Sequence, residues 1–589
     1  MNEDNITSTP TLLSNSAVPG AVPAPPAAKT DTDLMFKLDA ERKVAHDFQE
    51  RKHEDWNENY ELYRNKVKTN RLTQRQAVNI PLMKETVKTL LSKIDDPPTV
   101  DWKEKSGDEV KEIIYQSIWE DQSKENKLDL IDVLDKKNVL LYGLSTTKLN
   151  LCGKGINMSV LDVYDVLYDP LMNPLDIETA RFIVHINIYR SLRDILADKR
   201  YEPKGKESLR TWLSTEQGLV QSNANKEELK EKQERLKAMG VEDNQFGLFA
   251  GGDVVVNLTE HFHKLWNSKT QQFERRVTVY ANNSVILLDE SLKSLIGMEF
   301  WPFTMWSEDP ETNDLYPDGV ADLVRTPNKI VNVWFSQLVE NRTLRNFQMH
   351  WYDASVQNYQ PQTYEPGPGR MLPAPGEPGK TIMPVDISGL DESLEAIDFI
   401  TNIVERGTGA TAIDKGTPEQ GEQTLGEVRI LVGKATERTI GMQKFYRSSW
   451  YERARKWDGM MQANGTKQLK LYKTGVGGKM YEKVVMPSEW KSKAGYQPTV
   501  SSTSEQEQND IQGLQKWAAV LAQFPQNTVL RKFGQQRQLE LLDLSPQERR
   551  EVQDEEEKNA QMAQNAAIEQ ADPAILGEVQ SRLSELQSL

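Results

Sequence analysis

The stretch Gly319–Gln348, GVADLVRTPNKIVNVWFSQLVENRTLRNFQ, decides the fold. Its apolar residues Leu323, Ile330, Val333, Trp334, Leu338 and Phe347 form a seam at helical spacing, widened by Val331, Phe335 and Val339. At 1.5 Å per residue such a helix is roughly 40 Å long, and one apolar on more than one side needs several neighbours. Beyond it, Pro361–Gly379 holds ten Pro and Gly in nineteen residues, which excludes helix and central strand. A second helix is predicted over about Asp391–Arg406, striped by Leu394, Ile397, Ile400 and Val404, with Gly407 where a C-terminal cap belongs. Gly407–Gly421 has four glycines and Pro418. A third helix opens on the capping box Thr424-Leu425-Gly426-Glu427 and runs to about Met461, with Trp450, Ala454, Trp457 and Met461 at helical spacing. Such stripes serve either intrachain core or packing between copies in a ring.

The totals narrow the classes. A chain of 589 residues exceeds one core and implies several domains. Eighty-eight acidic against 72 basic residues, a net charge of −16, argue against a globally basic nucleic-acid surface but leave room for a local one. Hydrophobic content of 38% and mean hydropathy of −0.64 suggest long solvated helices, tails, or surfaces buried only in an assembly. Cys152 is the single cysteine, so neither an intrachain disulfide nor a Cys-based zinc cluster is available, which fits a reducing cytoplasm. No apolar run reaches membrane-span length, and the first residues lack a signal-peptide pattern.

Along the chain, residues 1–33 are Ser, Thr, Ala and Pro with few large apolar groups and are expected to form a disordered arm. Phe36, Ala40, Val44 and Phe48 recur at spacing four, as one helix face that Trp56, Tyr60 and Tyr63 continue. Helices follow over Leu82–Ile94, Ser106–Asp121 and Lys127–Tyr142. After Gly143 the period changes to two: Ser145–Leu151, Ile156–Leu161 and Arg181–Tyr189 read as strands, as do Asp253–Trp266, Gln272–Tyr280 and Ser284–Asp289. Residues 202–252 look like a charged surface insertion. Gln468–Tyr472 and Lys483–Val485 are short strands around Gly475-Val476-Gly477-Gly478, residues 487–510 a polar linker, and the remainder Gln- and Glu-rich helices. The class is mixed α+β, mostly helical, with small antiparallel sheets.

The sequence has no G-x-S-x-G, H-E-x-x-H or G-x-G-x-x-G pattern. Ala374-Pro375-Gly376-Glu377-Pro378-Gly379-Lys380-Thr381 approaches a phosphate-binding loop, but its first glycine is Ala374 and two prolines remove needed backbone donors. Pro384 prevents the helix that should follow. His261 and His263 share one strand face, with Glu260 on the other, and no third metal ligand is placed; they are expected as surface or interstrand residues. Asp414 and Glu419 in a Gly-rich loop are weak evidence of acid–base chemistry in so acidic a chain. No catalytic, cofactor-binding or metal residue is assigned, and no cofactor is expected.

In order, the chain resembles the portal proteins of tailed double-stranded DNA bacteriophages, the head-to-tail connector family. The resemblance rests on Val139-Leu140-Leu141-Tyr142-Gly143, then Val160 to Pro170 (VLDVYDVLYDP) followed by Ala180-Arg181-Phe182-Ile183. Thr259 to Trp266 (TEHFHKLW) and Gly319 to Asn332 (GVADLVRTPNKIVN) complete it. It covers about Asn79 to Gln515, with the arm, the 202–252 insertion and the last helices outside. The resemblance implies a ring subunit with wing, stem, clip and crown. Residues 34–318 with 424–500 would be wing, 319–348 and 389–406 the stem helices, and 349–388 the clip, with Tyr364, Arg370 and Lys380 facing terminase and adaptor. Residues 407–423 would be the tunnel loop, placing Asp414, Lys415, Gly416 and Glu419 toward DNA, and 501–589 the crown. It further implies a homododecamer at the portal vertex of the virion, assembled in the host cytoplasm and not in a membrane. The implied partners are viral duplex DNA, the large terminase subunit, a head–tail adaptor, and the major capsid and scaffolding proteins. An acidic channel wall with few basic contacts lets DNA slide, and Lys415, the only basic residue of the 407–423 loop, offers one phosphate contact per subunit. A scaffold or tail component, or a packaging ATPase, are the alternatives.

Overall fold

The computed structural model of the chain describes residues 31–66, 78–94, 98–152, 155–214, 255–267, 270–312, 314–347, 350–352, 382–387, 392–410, 425–474, 480–501, 513 and 515–519. The arm at 1–30, most of 202–252, nearly all of the Pro/Gly-dense loop, the 411–424 loop and most of the C-terminal helices lie outside these residues. The chain divides into two compact units, one of residues 1–89, 135–151 and 159–422, the other of 90–134, 152–158 and 423–589.

In chain order the helices are α1 (Asp31–Glu50), α2 (His53–Tyr63), α3 (Leu82–Lys93), α4 (Glu109–Glu125), α5 (Leu128–Tyr142), α6 (Leu192–Ala197), α7 (Pro203–Leu213) and α8 (Leu292–Ile296). They continue as α9 (Val320–Asn346), α10 (Glu392–Thr408), α11 (Leu425–Asn464) and α12 (Pro487–Trp490). The strands are β1 (Thr99–Glu104), β2 (Leu144–Cys152), β3 (Gly155–Leu161), β4 (Val166–Tyr168), β5 (Phe182–Ser191), β6 (Val255–Asn267), β7 (Gln272–Ala281), β8 (Val285–Ser291) and β9 (Phe303–Ser307). Five short strands follow: β10 (His350–Tyr352) with β11 (Ile382–Pro384), β12 (Leu469–Thr474) with β13 (Met480–Val485), and β14 (Tyr496–Ser501), which pairs with β1.

The first unit is organised on an antiparallel sheet in the order β4-β5-β6-β7-β8. Asn187, at positive φ, marks a bulge in β5 between His185 and Ile188, and Asn282 and Asn283, also at positive φ, tighten the β7–β8 turn. Helix α1 lies on this sheet, with Ala45 against Leu167, Phe182, Val184 and Ile186, and Leu34 and Leu38 against Tyr280. Gln49 extends the contact through polar groups: its Nε2 donates to the carbonyls of Val163 and Val166 at 2.9 and 2.8 Å. The spacing-four residues of α1 therefore face the other way, Phe36 being 80% and Val44 57% exposed. The buried stripe is Leu34, Leu38, Ala45, Gln49, which a count of large apolar side chains passes over because two of its four members are small or polar.

The second unit centres on aromatic side chains. Strand β1 pairs antiparallel with β14, Trp102 opposite Pro498. Trp102, Tyr115, Trp119 and Trp457 meet at ring-centroid distances of 4.9–5.7 Å, and Tyr115 stacks on Tyr496 at 3.9 Å. Trp450, Ala454, Trp457 and Met461 of α11 are buried, as their spacing predicts, and here they serve intrachain core. The supposed linker 487–510 instead contains α12 and β14, and Thr99–Glu104 is a strand the sequence reading passed over. Six residues with a partner nearly 400 positions away carry too little local pattern to be seen alone.

Candidate functional site

The long helix α9 starts where two glycines meet. Gly319 is its N-cap, and its N–H donates to Asp322 Oδ2 at 2.9 Å. Gly143, at φ +77°, ends α5 with its N–H on the Val139 carbonyl. A Cβ on Gly143 would lie 1.9 Å from the Pro317 carbonyl oxygen, and one on Gly319 would lie 2.7 Å from the Gly143 nitrogen. Close by, Glu308 accepts the Val320 N–H while its Oε2 is buried without a hydrogen-bond partner. Burial and the neighbouring Asp309 and Asp322 hold its carboxyl at about 8. That is far above an ordinary glutamate, despite the opposing Val320 N–H.

The face that α9 buries is apolar in part, with Val320, Ala321, Val324 and Val331, and carries a polar row beside them. Asn328 Oδ1 accepts the Met83 N–H at 3.3 Å, Asn332 Oδ1 the Ile80 N–H at 2.7 Å, and Ser336 Oγ the Val78 N–H at 3.0 Å. The register 328, 332, 336 repeats at one turn, so three side chains of one helix face hold the main chain from Val78 into the first turn of α3. Arg325 and Lys329, on the adjoining face, are paired with Asp55, Glu58 and Asp322. The seam expected to be core is split: Leu323 is 60% and Phe347 63% exposed and Ile330 is exposed too, while Val333, Trp334 and Leu338 are half-buried and Val331 is buried. Beyond Ser336 no described residue of α9 is buried.

Helix α9 packs along α10, and the β10–β11 pair, His350 opposite Pro384, closes the two into an antiparallel hairpin. Helix α10 continues through Gly407. Its end is Gly409, at φ +76°, whose N–H reaches the Glu405 carbonyl at 2.9 Å. The predicted cap at Gly407 is thus two residues early. Val404 is buried, Ile397 and Ile400 are half-buried, and Phe399 is 62% exposed with Ile403 beside it. Tyr364, Arg370 and Lys380, and Asp414, Lys415, Gly416 and Glu419, all lie outside the described residues, as does Gly379-Lys380-Thr381.

The histidine pair is interior rather than superficial. His261 Nε2 meets Glu41 Oε2 at 3.1 Å and His263 Nε2 meets Thr278 Oγ1 at 2.9 Å, which separates their ring nitrogens into different polar contacts. Burial pushes both imidazoles below their usual range. Opposite them on β6, Glu260 pairs with Lys148 and lies 3.6 Å from His185 Nδ1. Burial alone would raise that carboxyl, but Lys148 and His185 hold it well below the carboxylate range. Among the described residues, His46, Asp47 and Glu50 of α1 bring possible ligand atoms within 4.8 Å, on the outer side of the helix where acidic groups gather without an ion. No described helix is long and apolar enough to cross a membrane.

Two quoted sequence patterns find their physical reason here. Asp169 of the VLYDP turn accepts the Arg181 guanidinium at 2.7 and 2.6 Å and the Arg181 N–H at 3.0 Å. Burial alone would raise the Asp169 carboxyl, but these bonds lower it. Residues 45–587 match the family model described as "Phage SU10 portal protein", and the chain belongs to this family of phage portal proteins. The matched range takes in the 202–252 segment and nearly all of the C-terminal residues, which the motif resemblance left outside. No curated protein matches the chain.

Proposed function

We propose that this portal-family chain forms an oligomeric ring at one vertex of the capsid. The ring is the channel for viral DNA in packaging and ejection, and the platform on which the terminase and then a tail adaptor dock. The observation that carries the reading is the α9–α10 hairpin, whose outward apolar residues Leu323, Phe347 and Phe399 are exposed in the single chain. Neighbouring copies in a closed ring supply the missing cover. In this reading α9 and α10 are the stem, residues 349–388 the clip, 407–423 the tunnel loop, 34–318 with 424–500 the wing, and 501–589 the crown. The ring has twelve copies, with capsid and scaffolding proteins around it, and it acts at the portal vertex of the virion after assembly in the host cytoplasm. Catalysis belongs to the ATP-driven terminase, and this chain supplies the conduit.

Electron microscopy of the purified protein tests the ring. Closed rings with a central hole of about 20 Å, the width of duplex DNA, are expected; monomers or open filaments sink the reading. Within the channel, Lys415→Ala is expected to alter packaged DNA length or retention, and unchanged values remove Lys415 from the mechanism.

A further inference from the structure

We propose that the second unit carries a phosphate-binding edge for duplex DNA, built from Lys103, Lys105, Lys467, Lys491 and Lys493. The inference rests on reading the chain as a DNA conduit and names a contact outside the 407–423 loop. Between Gly465 and Gly495 the chain has seven lysines, no arginine and only Glu482 and Glu489, a net charge of +5 inside a protein of −16. The fold gathers three members of this run, Lys467, Lys491 and Lys493, with two more lysines. Gly465 ends α11 with its N–H on the Met461 carbonyl, and its Cα is pressed on Trp490, since an added Cβ would lie 2.3 Å from Cη2. Lys467 and Lys491 therefore flank one contact. Further along the chain from Trp490, the Lys105 N–H donates to the Gly495 carbonyl at 3.2 Å, and Ser492 Oγ bonds Glu104. That brings Lys103 and Lys105 beside Lys493. All but half-buried Lys491 are exposed, and among the described residues none of the five has a carboxylate within 4.0 Å.

The nearby acids keep their charge but are bonded to other groups than these lysines. Glu104 is held by the Ser106 and Ser492 hydroxyls, Asp108 pairs with Lys111 at 3.2 Å, Glu489 accepts the Met486 N–H at 2.8 Å, and Asp458 takes the Tyr115 hydroxyl at 2.5 Å. What remains outward is a set of compact cations on turns and strand ends, which suits phosphate oxygens that ask for charge rather than fixed geometry. The aromatic groups beneath them, Trp102, Trp490 and Tyr496, are buried, so the edge offers no platform for stacking unpaired bases. This favours the duplex backbone over single strands. Few enough contacts per copy leave the polymer free to slide, since affinity falls steeply with salt for each phosphate neutralised.

The test is fluorescence anisotropy of the full-length protein with a 30-base-pair duplex over a range of NaCl concentrations. The Lys105→Gln/Lys467→Gln/Lys493→Gln variant is expected to flatten the slope of log affinity against log salt by about three, and Lys467→Gln alone by about one. A control with the same charge change at exposed positions of the first unit, Lys43→Gln/Lys84→Gln/Lys293→Gln, keeps the wild-type slope. Equal slopes in the two triple variants, or tighter binding of poly-glutamate than of the duplex, overturn the proposal. Imaging the same samples separates the failures. Intact rings with an unchanged slope sink the lysine edge alone, while wild-type protein without rings sinks the conduit.

Discussion

Asn332 Oδ1 accepts the main-chain N–H of Ile80 at 2.7 Å, joining the middle of a helix to a segment 252 residues earlier. The acceptor is buried, and Ile80 precedes Pro81, which has no N–H of its own to offer. Asn332→Ala leaves the donor of half-buried Ile80 without this partner and is expected to cost about 1 kcal/mol. Chemical denaturation with native-state hydrogen exchange checks it: the Ile80 amide should lose protection well before the strands of β6 and β7. Equal protection in wild type and variant would show that the carboxamide does not hold this segment.

Gly143 and Gly319 make a second long-range contact that tolerates no side chain. Gly143→Ala places a Cβ 1.9 Å from the Pro317 carbonyl oxygen, on a backbone already left-handed. Expected is a loss of soluble folded protein, or a stability drop above about 3 kcal/mol. Gly107→Ala is the control, since it too has positive φ but open space around the added carbon; it should cost about 1 kcal/mol. Comparable melting points for the two variants would dissolve the close-packing argument.

These contacts show what was legible and why. The patterns ending in Gly143 and beginning with Gly319 lie far apart in sequence, yet their glycines touch, and Asp169 binds Arg181 within the next quoted pattern. Helix extents followed from periodicity: Val320–Asn346 against a predicted Val320–Gln348. Facing did not follow. On α1 and α9 the buried faces mix small or apolar side chains with Gln49, Asn328, Asn332 and Ser336, whose partners are backbone groups elsewhere, so counting large apolar side chains misplaces them. Thr99–Glu104 was missed for a related reason, its partner strand being β14.

The outward apolar residues of the hairpin make the assembly testable. Leu323→Ser/Phe399→Ser removes exposed side chains and is expected to change monomer stability by no more than about 0.5 kcal/mol each. In the proposed ring the same positions are covered by a neighbour, so the variant should shift protein from rings toward monomers. Sedimentation velocity reads the shift, and an unchanged ring fraction would place the subunit contact elsewhere.

Glu308 gives the fold a pH dependence whose sign is fixed. In the unfolded chain a glutamate titrates near about 4.3; in the fold burial beside Asp309 and Asp322 moves this one to about 8. Between those values the folded chain keeps a proton that the unfolded chain has released. Stability therefore falls as pH rises from about 4 to about 8 and stays at the lower level above it, by an amount on the order of a few kcal/mol. Glu308→Gln keeps an acceptor for the Val320 N–H and removes the ionisation. The variant should melt close to wild type at pH 5 and increasingly above it toward pH 9. A difference in melting temperature that is flat across this range would show that the start of α9 does not hold a protonated carboxyl.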